Sequence, residues 1–225
     1  MEELYKKTLD RLKAELKKHL PEIEANGDWL WHHPEAGFKE TETQKYCLEV
    51  LKNHGFEACT WPDVTGFTCT YDTGRPGPCV MIMGEMDSLI CYSHPDCNPE
   101  TGAAHACGHS IQVATAMGAF ITLTESGVLE NFGGKVMLAG VPAEECLEIE
   151  WRTREIQKGR LHYLCGKAEL LYRGAFDGVD IVISMHAGLG NDGTITILGS
   201  HNGFISKNVT FQGRSAHAAA DPENG

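Results

Sequence analysis

The segment Cys79-Val-Met-Ile-Met83 is a short, continuous run of apolar residues, and the chain contains two similar runs. These are Lys135-Val-Met-Leu-Ala139 and Asp180-Ile-Val-Ile-Ser-Met185. Uninterrupted apolar runs of this length are typical of strands that are buried on both faces of a sheet. Helical segments are predicted between the runs, over residues 109–126 and in pieces between residues 151 and 173. Buried strands that alternate with helices indicate an α/β fold, with a mostly parallel sheet flanked by helices.

Two helices are predicted ahead of these strands. Leucines at near-helical spacing, separated by Lys and Glu, predict an amphipathic helix over residues 2–24. Pro34 interrupts regular structure, and a second helix is predicted over residues 41–54. After the last apolar run, the segments Thr194 to Leu198 and Ile205 to Phe211 alternate between apolar and polar residues. They predict strands of a half-exposed antiparallel sheet that either belongs to a longer chain or is completed by another chain.

The composition excludes several functional classes. The 225 residues are 42% hydrophobic and 22% charged, as in ordinary globular proteins, and the formal net charge is −12. Because phosphate backbones and anionic lipids bind basic surfaces, we expect neither nucleic acid nor a membrane as a partner. No apolar run approaches the roughly 20 residues of a membrane span. The nine cysteines include no C-x-x-C pair and the N-terminus lacks a secretory signal, so we expect a cytoplasmic protein with free thiols.

Carboxylate or imidazole side chains follow each of the three apolar runs. In chain order they are Asp87, then Glu144 and Glu145, then His186. The carboxyl ends of parallel strands lie at one edge of a sheet, and ligands bind beyond that edge in open α/β folds. We therefore expect these four side chains to face a single crevice.

The segment His105-Ala-Cys-Gly-His109 adds a thiol and an imidazole to that crevice. The residues after it, Ile111 to Phe120, are small or apolar and predict a buried helix, which places the segment on a loop at a helix N-terminus. A thiolate there is favoured by the helix dipole and, more strongly, by a bound metal. Spacing alone also allows a buried structural cysteine beside a histidine of a capping loop. The residues at the strand ends favour the metal site.

Cysteine, histidine and glutamate together form a ligand set that suits zinc, and it tolerates manganese, cobalt or nickel when two ions share a ligand. Two such cations would lower the pKa of a water and hold a carbonyl oxygen. Of the adjacent Glu144 and Glu145, one could be a ligand and the other a general base. Asp87 would accept the N–H of a ligand imidazole. A competing hypothesis makes Cys107 a nucleophile and His109 its base, although residues two apart rarely face each other.

These motifs resemble those of the amidohydrolase branch of the aminoacylase/carboxypeptidase family of di-metal hydrolases. They extend along nearly the whole chain as Trp31-His-His-Pro-Glu35, Gly84-Glu-Met-Asp-Ser-Leu89, His105-Ala-Cys-Gly-His109, Pro142-Ala-Glu-Glu145, His186 and Gly213-Arg-Ser-Ala-His217. Members of this family include N-acyl-amino-acid hydrolases, auxin-conjugate hydrolases and p-aminobenzoyl-glutamate hydrolase. The resemblance implies a zinc-peptidase-like catalytic α/β domain over residues 1–204. It also implies the start of a smaller α/β lid domain over residues 205–225.

The resemblance further implies a role for each matching residue. The implied ligands of two divalent metal ions, Zn²⁺ or Mn²⁺ with Co²⁺ or Ni²⁺ also suitable, are Cys107, His109, Glu145 and His186. Glu144 would be the general base that activates a water, and His217 would reach the active site of a neighbouring protomer in a homodimer formed through the lid domain. The implied activity is hydrolysis of the amide bond of an N-acyl amino acid, a dipeptide or an aminobenzoyl-glutamate-like conjugate.

The chain departs from the family pattern in two ways. Ser110 occupies the position after the ligand histidine, where the family usually has Asp or Asn, and this alters the surroundings of the metal. The family also supplies a further ligand histidine near its C-terminus, beyond Gly225, so the chain looks truncated. An alternative hypothesis is therefore a catalytically silent relative that binds metal or a partner chain.

Overall fold

The computed structural model describes residues 2–188, together with residues 195, 207, 209, 211–217 and 219–224. The chain forms two compact units, Met1–Gly188 and Leu189–Gly225. In the second unit the described residues include a short 3₁₀ turn, Pro222–Asn224. The two strands predicted between residues 194 and 211 lie almost wholly outside the described residues. The predicted domain boundary between residues 204 and 205 stays a prediction.

The described residues of the first unit form five α-helices, one 3₁₀ turn and seven strands. Its helices are α1 (Glu2–His32), α2 (Thr41–Asn53), α3 (His109–Glu125), α4 (Ile149–Gln157) and α5 (Gly166–Tyr172), with a 3₁₀ turn at Val128–Asn131. Its strands are β1 (Ala58–Thr60), β2 (Phe67–Asp72), β3 (Cys79–Glu85), β4 (Leu89–Ile90), β5 (Ala103–Ala104), β6 (Lys135–Val141) and β7 (Ile181–Ser184). Among the described residues, no helix combines the length and the apolar character that crossing a membrane requires.

Five of the strands form one sheet in the order β1-β2-β6-β3-β7. Strands β6, β3 and β7 are the three predicted apolar runs, and they are parallel to one another. Strands β1 and β2 are antiparallel additions at the edge of the sheet beside β6, which make the sheet mixed. The predicted fold class, an α/β sheet flanked by helices, is confirmed. The parallel register pairs Glu85 with Val141, so β3 and β6 end side by side.

Helices cover the sheet on both faces, and each face has its own apolar core. One core joins the sheet to α1, α2 and α3 through residues such as Leu30, Leu51 and Phe120. The other lies against α5 and includes Met81 and Leu170. Burial of this apolar area is the main force that holds the layers together. The parallel strand ends are therefore held on a packed scaffold.

Helix α3 is buried on most of its surface because nearly all its side chains are small or apolar, as predicted. It approaches β3 closely at Gly84, where a Cβ atom would lie 3.0 Å from Cα of Val113. Helix α1 is amphipathic, as predicted, but it continues past Pro21 to His32 rather than ending near residue 24. It ends shortly before Pro34, whose ring disfavours helical geometry in the preceding residue.

Strand β7 differs from the prediction of a strand buried on both faces. Among the described residues it pairs with β3 alone, and it is the last strand of the sheet order. Ile181, Val182 and Ile183 are each about half exposed, at 50%, 45% and 55%. A continuous apolar run predicts a strand, but the burial of that strand depends on which other elements pack against it, and the run does not reveal them. For that reason the strand was predicted correctly and its burial was not.

Candidate metal centre

The loop before α3 has a sharp turn at Gly108 that brings two predicted ligands together. Gly108 has φ +90°, a left-handed conformation that side chains rarely adopt. A Cβ atom at this position would lie 2.8 Å from Cβ of Ala187, which follows His186. Glycine thus allows the loop to lie against the end of β7. Cys107 precedes this turn, and His109 is the first residue of α3.

Three of the four predicted metal ligands converge at this point. Cys107 Sγ lies 3.5 Å from His186 Nε2. The rings of His109 and His186 meet edge to face, with centroids 5.5 Å apart. One donor atom from each of these three residues lies within 4.8 Å of the others. A loop and a strand end distant in sequence therefore supply a compact set of one thiol and two imidazoles.

Glu85, which was not predicted as a site residue, lies on the other side of His109. It is the last residue of β3 and only 4% exposed, and its Oε2 lies 3.1 Å from His109 Nε2. Glu144 Oε2 lies 4.0 Å from the same nitrogen. Glu85, His109 and Glu144 thus form a second group whose donor atoms lie within 4.8 Å of one another. His109 is common to both groups.

The donors fit a divalent cation of the zinc class. His109 Nε2 and Glu85 Oε2 are fully buried and face each other at 3.1 Å, within ion-pair range. An imidazole nitrogen and a carboxylate oxygen at this separation are also spaced as two ligands of one cation. The thiol, imidazole and carboxylate donors are those that zinc prefers.

Asp87 contacts the imidazole of His109 at Nδ1, on the opposite side of the ring from Glu85. Its carbonyl oxygen lies 2.8 Å from His109 Nδ1, and its carboxylate Oδ1 lies 3.3 Å from the same atom. The other carboxylate oxygen accepts a hydrogen bond of 2.9 Å from the backbone N–H of Glu145. Burial lowers the pKa of His109, but its contacts with Asp87 and Glu85 raise that pKa by more, so the net value is about 10. Nδ1 thus faces Asp87, and Nε2 faces Glu85 and Glu144.

Glu145, the fourth predicted ligand, contacts the thiol of Cys107. Burial raises the pKa of the Cys107 thiol to about 12, and the hydrogen bond to Glu145 adds to this shift. The negative charges of Glu144 and Glu85 act in the same direction. Among the described residues, Glu145 belongs to neither of the two donor groups around His109. The structure thus places Glu145 beside the sulfur and Glu144 nearer the imidazole.

Lys167, on α5, is a site residue that the sequence did not reveal. Its ammonium group forms an ion pair with Glu85 and lies 3.5 Å from Glu144 Oε1. Burial raises the pKa of Glu85, but the contacts with His109 and Lys167 lower it more strongly, to about 2. No motif marks Lys167, because it lies on a short helix outside the strand ends. Only the packing of α5 against the sheet brings it to the site.

Two further polar residues of the loop are buried. His105 is 4% exposed, and neither of its ring nitrogens has a hydrogen-bond partner. Burial lowers the pKa of His105 to about 4, and the charge of His109 adds to the effect. Ser110 is 1% exposed and its hydroxyl is likewise unpaired. At neutral pH the buried imidazole of His105 is thus uncharged.

His217, predicted to act in a neighbouring protomer, lies in the second unit. Its Nδ1 accepts hydrogen bonds of 3.2 Å and 3.1 Å from the backbone N–H groups of Ala219 and Ala220. The ring thereby closes a local turn, and Nε2 is the nitrogen left for another contact. The role of His217 stays a prediction.

Comparisons with known proteins agree with this description. No family model matches the chain. The chain is 32% identical over 177 residues to one of the subunits of p-aminobenzoyl-glutamate hydrolase of Escherichia coli, a match that covers 72% of this chain and 35% of that protein. It is 30% identical over 175 residues to indole-3-acetyl-aspartic acid hydrolase of Enterobacter agglomerans, with the same two coverages. The chain therefore spans about a third of the length of these relatives.

A solved structure shows the same fold. It is a Bacillus subtilis protein described as a dinuclear metal-binding peptidase of the M20 family. The two structures superpose with a TM-score of 0.60 at 24% identity, over 78% of this chain and 44% of the other. The fold is thus that of the M20 peptidases. Within that class, the chain is a relative of the amidohydrolase branch of the aminoacylase/carboxypeptidase family, as its motifs indicated.

Proposed function

We propose that this chain carries the metal centre of an amidohydrolase that cleaves the amide bond of an N-acyl amino acid, a dipeptide or an aminobenzoyl-glutamate-like conjugate. The observation that supports this most strongly is the convergence of Cys107, His109 and His186 at the carboxyl ends of the parallel strands. The names of the relatives support the substrate class, since p-aminobenzoyl-glutamate and indole-3-acetyl-aspartate both join an aromatic acyl group to an acidic amino acid.

The proposed ligands are the four residues predicted from the sequence: Cys107, His109, Glu145 and His186. Glu85 is added as a candidate ligand, because it faces His109 Nε2 from a buried position. Two divalent cations of the zinc or manganese class would lower the pKa of a water and polarise the amide carbonyl when bound. Asp87 fixes the orientation of the His109 ring and so directs Nε2 into the site.

Glu144 is the proposed general base. Its side chain is 35% exposed, so its carboxylate can reach a water in the crevice and exchange protons with solvent. In the proposed reaction this carboxylate removes a proton from the attacking water and delivers it to the leaving amine. Lys167, 3.5 Å from Glu144 Oε1, orients the carboxylate and offsets the negative charge that Glu85 and Glu144 concentrate here.

The proposed homodimer rests on the resemblance to the family, and the proposed cytoplasmic location rests on the cysteines. His217 is proposed to contact the substrate in a partner protomer, which requires a homodimer formed through the second unit. Sedimentation of the chain at several concentrations tests that association. All nine cysteines are free thiols, which supports a reducing compartment such as the cytoplasm.

Metal-dependent amide hydrolysis is the test of the proposed function. We would incubate the chain with p-aminobenzoyl-glutamate and with N-acetyl amino acids, in Zn²⁺, in Mn²⁺ and after EDTA treatment. We expect release of the free amino acid with metal, its loss with EDTA and its return on adding the metal back. A metal-free preparation that cleaves these amides at an undiminished rate would contradict the proposal.

The competing hypothesis, in which Cys107 is a nucleophile, is tested by alkylation. Coordination of its sulfur should protect Cys107 from iodoacetamide when zinc is present, as read by mass spectrometry of the peptide. Cys91, which is partly exposed and outside the site, serves as the reference thiol within the same sample. Alkylation of Cys107 that zinc does not slow would favour the nucleophile instead.

A further inference from the structure

A second group of histidine and carboxylate side chains lies where α1 packs against the far end of α3. Glu15 and His19 are four residues apart on α1 and therefore share one face of that helix. Glu125 is the last residue of α3. His19 Nε2 lies 3.5 Å from Glu15 Oε1 and 3.4 Å from Glu125 Oε2. One nitrogen and two carboxylate oxygens thus face a common point between two helices.

His19 Nε2 has no hydrogen-bond partner, although it lies inside the protein. The residue is 9% exposed, and Nε2 itself is fully buried. Its distances to the two carboxylates exceed those of ordinary N–H···O hydrogen bonds, about 2.7–3.2 Å. They match the separation of about 3.3–3.4 Å between ligand atoms bonded at about 2.0–2.1 Å to a tetrahedral zinc ion. The two distances fit donors that share one ion, and they also lie within ion-pair range.

The oxygens of both carboxylates that face away from His19 are anchored by other residues. Glu125 Oε1 accepts a hydrogen bond of 2.6 Å from His54 Nδ1, and Glu15 Oε2 accepts one of 2.7 Å from Lys18. Burial lowers the pKa of His54, but its hydrogen bonds to Glu125 and Glu22 raise it more, so the imidazole is favoured as a donor. Outer partners of this kind orient the ligands of metal sites.

We propose that Glu15, His19 and Glu125 bind a divalent cation of the zinc class at this position, with water as the remaining ligand. Glu125 is 35% exposed, which leaves room for that water. His109 and Glu125 are the two ends of α3, so the proposed site lies about 24 Å along the helix from the candidate metal centre. The bound ion would join α1 to α3.

Zinc counting by equilibrium dialysis tests this proposal on the full chain. Glu15→Gln and His19→Gln should each bind one zinc ion fewer per chain than the parent protein. Glu24→Gln is the matched control, because it removes the same charge from an exposed position of α1 outside the cluster. It should bind as many zinc ions as the parent. Circular dichroism establishes that each variant is folded. Glu15 is partly exposed, so Glu15→Gln removes a proposed ligand while leaving the buried His19 ring in place.

Cobalt substitution separates this site from the one at Cys107. The sulfur-to-cobalt absorption, which arises from thiolate coordination, should persist in Glu15→Gln while one cobalt ion per chain is lost. The proposal is overturned if folded Glu15→Gln and His19→Gln bind as many ions as the parent. It is also overturned if Glu24→Gln loses the ion as completely as Glu15→Gln, since the general negative field rather than coordination would then hold it.

Discussion

Helix α3 has a histidine and carboxylate cluster at each end, and the two clusters are built differently. At the N-terminal end His109 is 1% exposed and Asp87 is fully buried, and the partners come from strand ends whose register the sheet fixes. At the C-terminal end the side chains come from helices, and Glu22 and Glu125 are 39% and 35% exposed. A sheet edge therefore fixes donors through its backbone, whereas a helix junction depends on side-chain packing.

The largest effect is expected from Glu144→Gln at the N-terminal end. Gln has nearly the same shape but cannot accept the proton, so amide hydrolysis should fall by about 10²- to 10⁴-fold. The number of bound metal ions should not change. Steady-state rates with p-aminobenzoyl-glutamate measure the first quantity, and equilibrium dialysis measures the second. Glu150→Gln, an exposed acid on α4, should leave the rate unchanged. A full rate in Glu144→Gln would remove Glu144 from the mechanism.

Glu40, which is buried behind the N-terminal cluster, should make the free energy of unfolding depend on pH. It is fully buried and accepts hydrogen bonds from Thr65 Oγ1 at 2.5 Å and from the N–H of Ala143 at 2.7 Å. Burial raises its pKa from 4.5 to about 8, and the charge of Asp87 adds to the shift. Because the folded pKa is the higher one, stability is full below pH 4.5 and is lost as the pH rises towards 8.

Replacing Glu40 with Gln removes the titration, while the amide oxygen can accept from the N–H of Ala143 and the amide N–H can donate to Thr65 Oγ1. Between about pH 4.5 and 8, we expect the free energy of unfolding of the parent to fall by about 3–5 kcal/mol relative to Glu40→Gln. Urea denaturation of both proteins at several pH values measures this difference. Parallel pH profiles for the two proteins would show that Glu40 is ionised throughout.

Asp87 and His54 each contact a proposed ligand from outside its site. Replacing either residue should weaken metal binding only at its own end of α3. Asp87→Asn weakens the support of His109, and His54→Gln weakens the support of Glu125. Each should lower zinc affinity by about 10- to 100-fold at its own site and leave the other site unchanged. Calorimetric zinc titrations resolve the two affinities. If His54→Gln weakens both sites equally, the clusters are not independent.

The smallest effect is expected from Lys18→Ala. Lys18 is 68% exposed, and its ion pair with Glu15 joins neighbouring turns of the same helix. Exposed pairs of this kind contribute about 0–1 kcal/mol, so the midpoint of urea unfolding should barely move. A loss well above that range would show that Lys18 holds the C-terminal cluster together.

The sequence pointed to part of the N-terminal cluster because the signals for that part are local. The continuous apolar runs predicted β3 and β6, and the residues that follow those runs had to lie at one edge of a parallel sheet. Glu85 was missed although it lies two residues before Asp87, because it was read as part of the strand end rather than as a donor. The burial of Glu85 depends on how α3 and α5 pack against the sheet, and the amino-acid sequence does not reveal that packing.

The C-terminal cluster gave no comparable signal. His19 lies in the segment Glu15-Leu-Lys-Lys-His19, which reads as the polar side of an amphipathic helix. Its partner Glu125 is about a hundred residues away, and only the packing of α1 on α3 brings them together. Lys167 was hidden for the same reason, since its contacts depend on how α5 lies against the sheet.

The half-exposed β7 also has a practical consequence for handling the protein. Among the described residues β7 has a partner strand on one side only, and half-exposed residues such as Ile181 and Ile183 offer apolar side chains to a second extended chain. Concentrated samples should therefore lose monomer to aggregation over time. Sulfate, which strengthens hydrophobic association, should speed that loss, and a lysine introduced at Ile183 should slow it.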